Sequence, residues 1–152
     1  MRSLILHRKY GQTPILNLSH GTEKKPRVLR YNNEKEELSA IKELIATYQA
    51  SAYKSLGIVC KNRNRKLVRW QINYKFPIFI SCRAKSSAFV QGIVITSAHM
   101  AKGLEFDEVI IPQADDRNYH SEIDRSMLYV AVTRAMHRLT LTYSGTKHTP
   151  FI

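Results

Sequence analysis

The first candidates for chemistry are the polar residues Thr96, Ser97, His99, Lys102 and Glu105. They lie between two apolar runs, Gly92-Ile93-Val94-Ile95-Thr96 and Val109-Ile110-Ile111. Such β-branched runs are the pattern of strands buried on both faces of a parallel sheet. Ser97-Ala98-His99-Met100-Ala101-Lys102 reads as one helical turn, and Gly103 can take the left-handed conformation that ends it. Leu104-Glu105-Phe106-Asp107 leads into the second run, which Pro112 closes. Open α/β sheets bind ligands outside the carboxyl ends of their strands, and residues 96–105 are expected at such an end. The bland alternative for Glu105 and Asp107 is a solvated acidic turn.

The second candidate is Arg134. Ser121 caps the last predicted helix, with Asp124 at the capping-box position, and the helix is expected to run to about Met136. At about 100° per residue Arg134 projects about 20° from Ile123 and falls between Met127 and Val130. A guanidinium on that apolar stripe must either reach an anion or bind the terminal carbonyls or a local carboxylate. Spacing alone leaves both readings open.

The elements that must position these residues alternate. Arg27-Val28-Leu29-Arg30-Tyr31 is a predicted strand. Asn33 caps an amphipathic helix carrying Leu38, Ile41, Leu44, Ile45 and Tyr48, with Glu34, Glu36 and Glu37 in its first turn. Further strands are expected at Leu56-Gly57-Ile58-Val59-Cys60, at Ile78-Phe79-Ile80 and over 138–143. Residues 1–7 could add another strand. Thr13-Pro14 reads as the start of a short helix, and 61–73 as a basic helix turning Leu67, Trp70 and Ile72 inward. Residues 113–120 read as a polar loop. The fold class is therefore α/β, with a mainly parallel central sheet flanked by helices on both faces, and 1–152 is expected to be one domain.

Composition narrows the partners. A hydrophobic fraction of 43% with 24% charged residues is that of a globular protein. Twenty-four Lys and Arg against 12 Asp and Glu give a net charge of +12, which points to a polyanion such as nucleic acid. Cys60 and Cys82 lack a C-x-x-C partner and read as reduced core thiols, so a cytoplasmic protein is expected. The histidines show no metal-ligand spacing, so no metal site is expected. No apolar run approaches the roughly 18 residues that cross a bilayer, and no membrane partner is expected. None of the six glycines opens a G-x-x-x-x-G-K-[ST] loop, so a cradle for the β-phosphate is missing. Asp115-Asp116 resembles an acidic strand end, but Pro112-Gln113-Ala114 intervenes and argues against a Mg²⁺ site.

The run from Thr96 through His99, Lys102, Gly103 and Glu105 to Asp107, within 94–107, resembles motif V of superfamily 1A helicases, the UvrD, Rep and PcrA group. Arg125-Ser126-Met127-Leu128-Tyr129-Val130-Ala131-Val132-Thr133-Arg134-Ala135 resembles motif VI of the same family. Lys9-Tyr10-Gly11-Gln12-Thr13-Pro14-Ile15 falls where the family has motif IV. The resemblance implies the second RecA-like domain (2A), without a 2B insertion. The tail from Met136 to Leu141, followed by Gly145, is most similar to helicase IV and the HelD-like proteins that associate with RNA polymerase.

That resemblance implies roles residue by residue. Arg134 would act in cis on the ATP γ-phosphate across a cleft between two RecA-like domains, as the catalytic residue. Gly103 would let backbone approach the phosphates, Glu105 would hydrogen-bond the ribose, and Tyr10 would stack on adenine. Thr96, Ser97 and His99 would contact single-stranded DNA, or duplex with a single-stranded tail, and couple that contact to the ATP cleft. ATP would come with Mg²⁺ whose ligands belong to an N-terminal RecA-like domain of the same protein, and RNA polymerase is a further partner the likeness allows. Gly11 stands where the family has a second phosphate-contacting arginine and Lys9 where it has asparagine. Either Arg8 or Lys9 substitutes, or one arginine fewer handles the γ-phosphate.

The chain thus reads as half of an ATPase, inactive alone and cut from a longer helicase or translocase. The alternative is a non-enzymatic nucleic-acid- or RNA-polymerase-binding module that kept the fold. A complete, independent enzyme fails for want of a nucleophile, base or P-loop. In either surviving reading the nucleic-acid contact is directed at the backbone. Affinity for a single strand, measured by fluorescence anisotropy, should fall steeply between low and physiological salt; a flat salt response would sink this expectation.

Overall fold

The computed structural model describes residues 25–61, 78–80 and 91–152. The expected strand over 1–7, the helix at Thr13-Pro14, the motif IV-like segment with Tyr10, Cys82 and, apart from Lys61, the basic helix over 61–73 lie outside the described residues.

Six strands and two helices occupy the described residues. In chain order they are β1 (Arg27–Tyr31), α1 (Glu34–Gln49), β2 (Ser55–Cys60), β3 (Ile78–Ile80), β4 (Gly92–Ser97), β5 (Phe106–Ile111), α2 (Glu122–Val132) and β6 (Ala135–Ser144). The strands form one sheet in the order β1-β6-β5-β2-β4-β3, and every pairing is parallel. The apolar runs have the reason expected for them: β2 and β5 are buried throughout, with side chains alternating between two packed faces.

On one face Leu56, Ile58, Ile93, Ile95 and Ile110 pack against Ile41, Leu44, Ile45 and Tyr48 of α1. On the other, Val59, Val94, Val109, Ile111, Leu139 and Leu141 pack against Leu128, Ala131 and Val132 of α2. Helices therefore cover both faces. The α1 start is the expected one, with Asn33 Oδ1 accepting from Glu36 N at 3.0 Å. Glu37 does more than face the helix dipole. It is buried and accepts from Thr142 Oγ1 at 2.7 Å and from Gln113 N at 2.8 Å, tying α1 to β6 and to the exit of β5.

Three expectations are corrected. The last helix ends at Val132 rather than near Met136, and β6 begins at Ala135 rather than Arg138. Ala135 is buried opposite Phe106, so pairing with β5 overrides the helical propensity of Ala135 and Met136. The inner face of α2 is not the stripe through Ile123, which is 69% exposed; it is Asp124, Leu128, Ala131 and Val132. Residues 113–120 form the expected loop, with Ala114, Asp115 and Tyr119 buried in it.

Gly57 has a packing reason that the sequence did not announce. A Cβ there would lie 2.5 Å from Cδ2 of Phe106, a ring with no exposed surface and nowhere to move. Gly57→Ala should therefore destabilise the fold by about 1–3 kcal/mol through overpacking, read by urea unfolding. A variant as stable as the wild type would contradict this packing.

Candidate functional site

The chain from Ser97 to Phe106 runs from the carboxyl end of β4 to the amino end of β5. Ala98 N donates to Cys60 O, the last residue of β2, at 3.0 Å. At the other extreme Phe106 pairs with Ala135, the first residue of β6. Because the strands are parallel, residues 98–105 cross the whole sheet, a span of about 17 Å for a strand of this length. This corrects the expectation that 96–105 gather at one carboxyl edge. Thr96, Ser97 and His99 sit at that edge; Glu105 sits at the opposite one, beside Arg134.

The crossing is built from turns. Ser97 Oγ accepts from Met100 N at 3.3 Å, and Ser97 O accepts from Ala101 N at 2.9 Å, so Ser97 caps the first turn. Ala98, Ala101 and Leu104 are buried under it on the α2 face. Gly103 ends the turn with φ +86°, the left-handed conformation expected of it, and the space where a Cβ would point is open. Thr96 is only 5% exposed and its hydroxyl donates to Ser97 O at 3.4 Å, whereas His99 is exposed.

Arg134 lies just beyond the cap residue Thr133, half-buried in the link between α2 and β6. Its Nε donates to Val130 O at 3.1 Å, Nη1 to Leu104 O at 3.2 Å and Nη2 to Thr133 Oγ1 at 3.1 Å. Its own carbonyl accepts from Phe106 N at 2.9 Å. Arg134 therefore does bind a helix-terminal carbonyl, as one of the two open readings had it. All three acceptors are neutral, however, and among the described residues no carboxylate pairs with it. The guanidinium is held in place with its charge uncompensated by any carboxylate among the described residues, next to the exposed Gly103 and Glu105.

A model of the UvrD-like helicase C-terminal domain family matches residues 92–142, the segment from β4 through most of β6. This part of the chain is similar to UvrD-like helicase C-terminal domains. DNA helicase II of Escherichia coli (strain K12) is 33% identical over 73 residues, 41% of this chain and 10% of that protein. Gabija protein GajB of Bacillus cereus (strain VD045) is 43% identical over 58 residues, 38% of this chain and 12% of that protein. The chain thus spans about a tenth of the length of the curated relatives it matches. A crystal structure of the C-terminal domain of a possible DNA helicase from Lactobacillus plantarum WCFS1 shares the fold, with a TM-score of 0.65, 24% identity, and coverage of 83% of this chain and 78% of that one. These matches do not single out the helicase IV and HelD-like branch, nor do they favour the non-enzymatic binding module.

The chain also uses residues that carry no local signal in the sequence. Asp107 is not in a solvated turn; it is buried and accepts from Lys54 N at 2.7 Å and Ser55 N at 3.0 Å. Lys61, just past β2, donates to Asn118 O and pairs with Asp124 at 2.6 Å. Nothing local marks either contact, since the partners are 53 and more than 50 residues away in the chain. The carboxylate of Asp115 accepts from Arg117 N and Asn118 N, both at 3.0 Å, which commits it to its own turn. Among the described residues no helix is long and apolar enough to cross a membrane.

Asp124 carries the capping box foreseen for α2, with Ser121 Oγ accepting from Asp124 N at 3.2 Å and Asp124 Oδ2 accepting from Ser121 N at 3.1 Å. Burial is the largest single influence and would raise its carboxyl, but the hydrogen bonds from Lys61, Ser121 and His120 together outweigh it. The result lies well below the usual carboxylate range. A depressed folded pKa stabilises the fold above the unfolded value, and the contribution is lost as pH falls. The stability gap between wild type and Asp124→Asn, from urea unfolding, should be full near pH 7 and shrink as pH drops below about 5. A gap that is constant from pH 7 to pH 3 would show that the charge of Asp124 is not what stabilises α2.

Proposed function

We propose that this chain is the second motor domain of an ATP-dependent DNA helicase or translocase. The observation that carries the reading is the guanidinium of Arg134, fixed by three neutral acceptors and left with its charge free for an anion. A preorganised cation of this kind stabilises charge that develops in a phosphoryl-transfer transition state, and it needs no reorganisation during the reaction. Arg134 would act in cis on the γ-phosphate of ATP. Gly103, with open space above its backbone, leaves room for phosphate, and the exposed carboxylate of Glu105 is available to a ribose hydroxyl. ATP with Mg²⁺ supplies the transferable phosphoryl group and the neutralising metal; the metal ligands would come from an N-terminal RecA-like domain of the same protein. Tyr10 would stack on adenine.

His99 is the exposed member of the carboxyl-edge group and would contact single-stranded DNA, with Thr96 and Ser97 shaping the turn that presents it. Residues 98–105 then join the two edges by a short run anchored by the buried Ala98, Ala101 and Leu104. A shift of His99 on nucleic acid would reach Leu104, and so Arg134, through that run. The domain alone would be inactive. RNA polymerase as a further partner rests on the HelD-like likeness of the tail.

The test is nucleic-acid-stimulated ATP hydrolysis by the full-length protein, wild type against Arg134→Ala, with folding and nucleotide binding checked separately. The variant should lose at least about a hundredfold in rate. Equal rates would reduce Arg134 to a cation that closes a helix end.

A further inference from the structure

At the amino edge of the sheet, side chains bolt together three strands where the ladders thin out. The β5–β6 register shifts between Phe106 and Glu108, and the β2–β5 ladder begins only at Leu56 and Glu108. Asp107 fills that gap. Its Oδ2 takes the N–H groups of Lys54 and Ser55, and its own N–H donates to Ser55 Oγ at 2.8 Å. Its Oδ1 faces Nε2 of His137 at 3.7 Å. The His137 ring stacks on Tyr53, with centroids 5.6 Å apart and planes 2° from parallel. Arg138 lies 4.9 Å from the same Tyr53 ring and pairs with the fully buried Glu108 at 3.2 Å.

Asp107 stands three residues after Leu104, and His137 three residues after Arg134. The two short segments are joined at one end by Arg134, bonded to Leu104 O and Phe106 N, and at the other by Asp107 facing His137. We infer that Asp107, braced by His137 on Tyr53, is a positioning residue for Arg134. It fixes the 104–106 backbone against β2, and that backbone in turn aims the guanidinium. The inference rests on the proposed role of Arg134 and adds a determinant buried away from the nucleotide.

The experiment is a double-mutant cycle on nucleic-acid-stimulated ATP hydrolysis by the full-length protein. Asp107→Ala should lower kcat roughly ten- to a hundredfold with KM for ATP little changed, because misplacement of a preorganised group costs rate rather than binding. Asp107→Asn keeps an oxygen for Lys54 N and Ser55 N and should recover most of the rate. In an Arg134→Ala background, Asp107→Ala should cost little more, since both act through one group. If Asp107→Ala does not fold, His137→Gln, which removes the Tyr53 stack from the half-exposed side, carries the same cycle. Equal losses in both backgrounds overturn the positioning role alone. An Arg134→Ala enzyme of undiminished rate overturns the arginine reading, and the positioning role with it.

Discussion

Arg134 is bonded to one stretch of backbone from both of its ends. The guanidinium donates to Leu104 O while the main-chain carbonyl accepts from Phe106 N. Everything of interest at the amino edge of the sheet depends on this double contact. It ends α2, starts β6, and fixes the close of the 98–105 crossing against the link between them. A side chain held by carbonyls and a hydroxyl keeps its full charge, whereas one held by a carboxylate would not. The arrangement therefore provides rigidity and an unspent positive field at once.

Buried polar groups do the tying elsewhere in the domain. Glu37 joins α1 to β6 and to Gln113, a non-glycine residue held at φ +55°. Asp124 joins the start of α2 to Lys61 beyond β2. Glu108 holds Arg138, and Asp107 caps the start of β2. Each of these carboxylates is buried and has hydrogen-bond or ionic partners, which is the condition under which burying one is tolerable. Removing one partner would leave a charge in the interior, so these links break at higher cost than exposed ion pairs.

The sheet and its two helical layers were legible because burial on both faces writes itself as consecutive β-branched residues. The starts of α1 and α2 were legible through Asn33 and Ser121, whose capping is local. The end of α2 was not, because a long-range pairing of Ala135 with Phe106 decided it against local propensity. The stripe through Ile123 misled for a related reason: spacing counts apolar residues, while the inner face of α2 includes the ion-paired Asp124. At the site, the left-handed turn at Gly103 was readable, but the separation of His99 from Glu105 was not. Eight residues crossing a sheet look the same in sequence as eight residues lying along one edge of it. Asp107 carried no signal at all, since its partners Lys54 and Ser55 lie more than 50 positions upstream.

The central claim is that the charge of Arg134 is reserved for a terminal phosphate. A structure of the full-length protein with a non-hydrolysable ATP analogue and Mg²⁺ tests it most directly. The account predicts a guanidinium nitrogen within about 3 Å of a γ-phosphate oxygen. A guanidinium that remains wholly on Val130, Leu104 and Thr133, with another cation on the γ-phosphate, would contradict it.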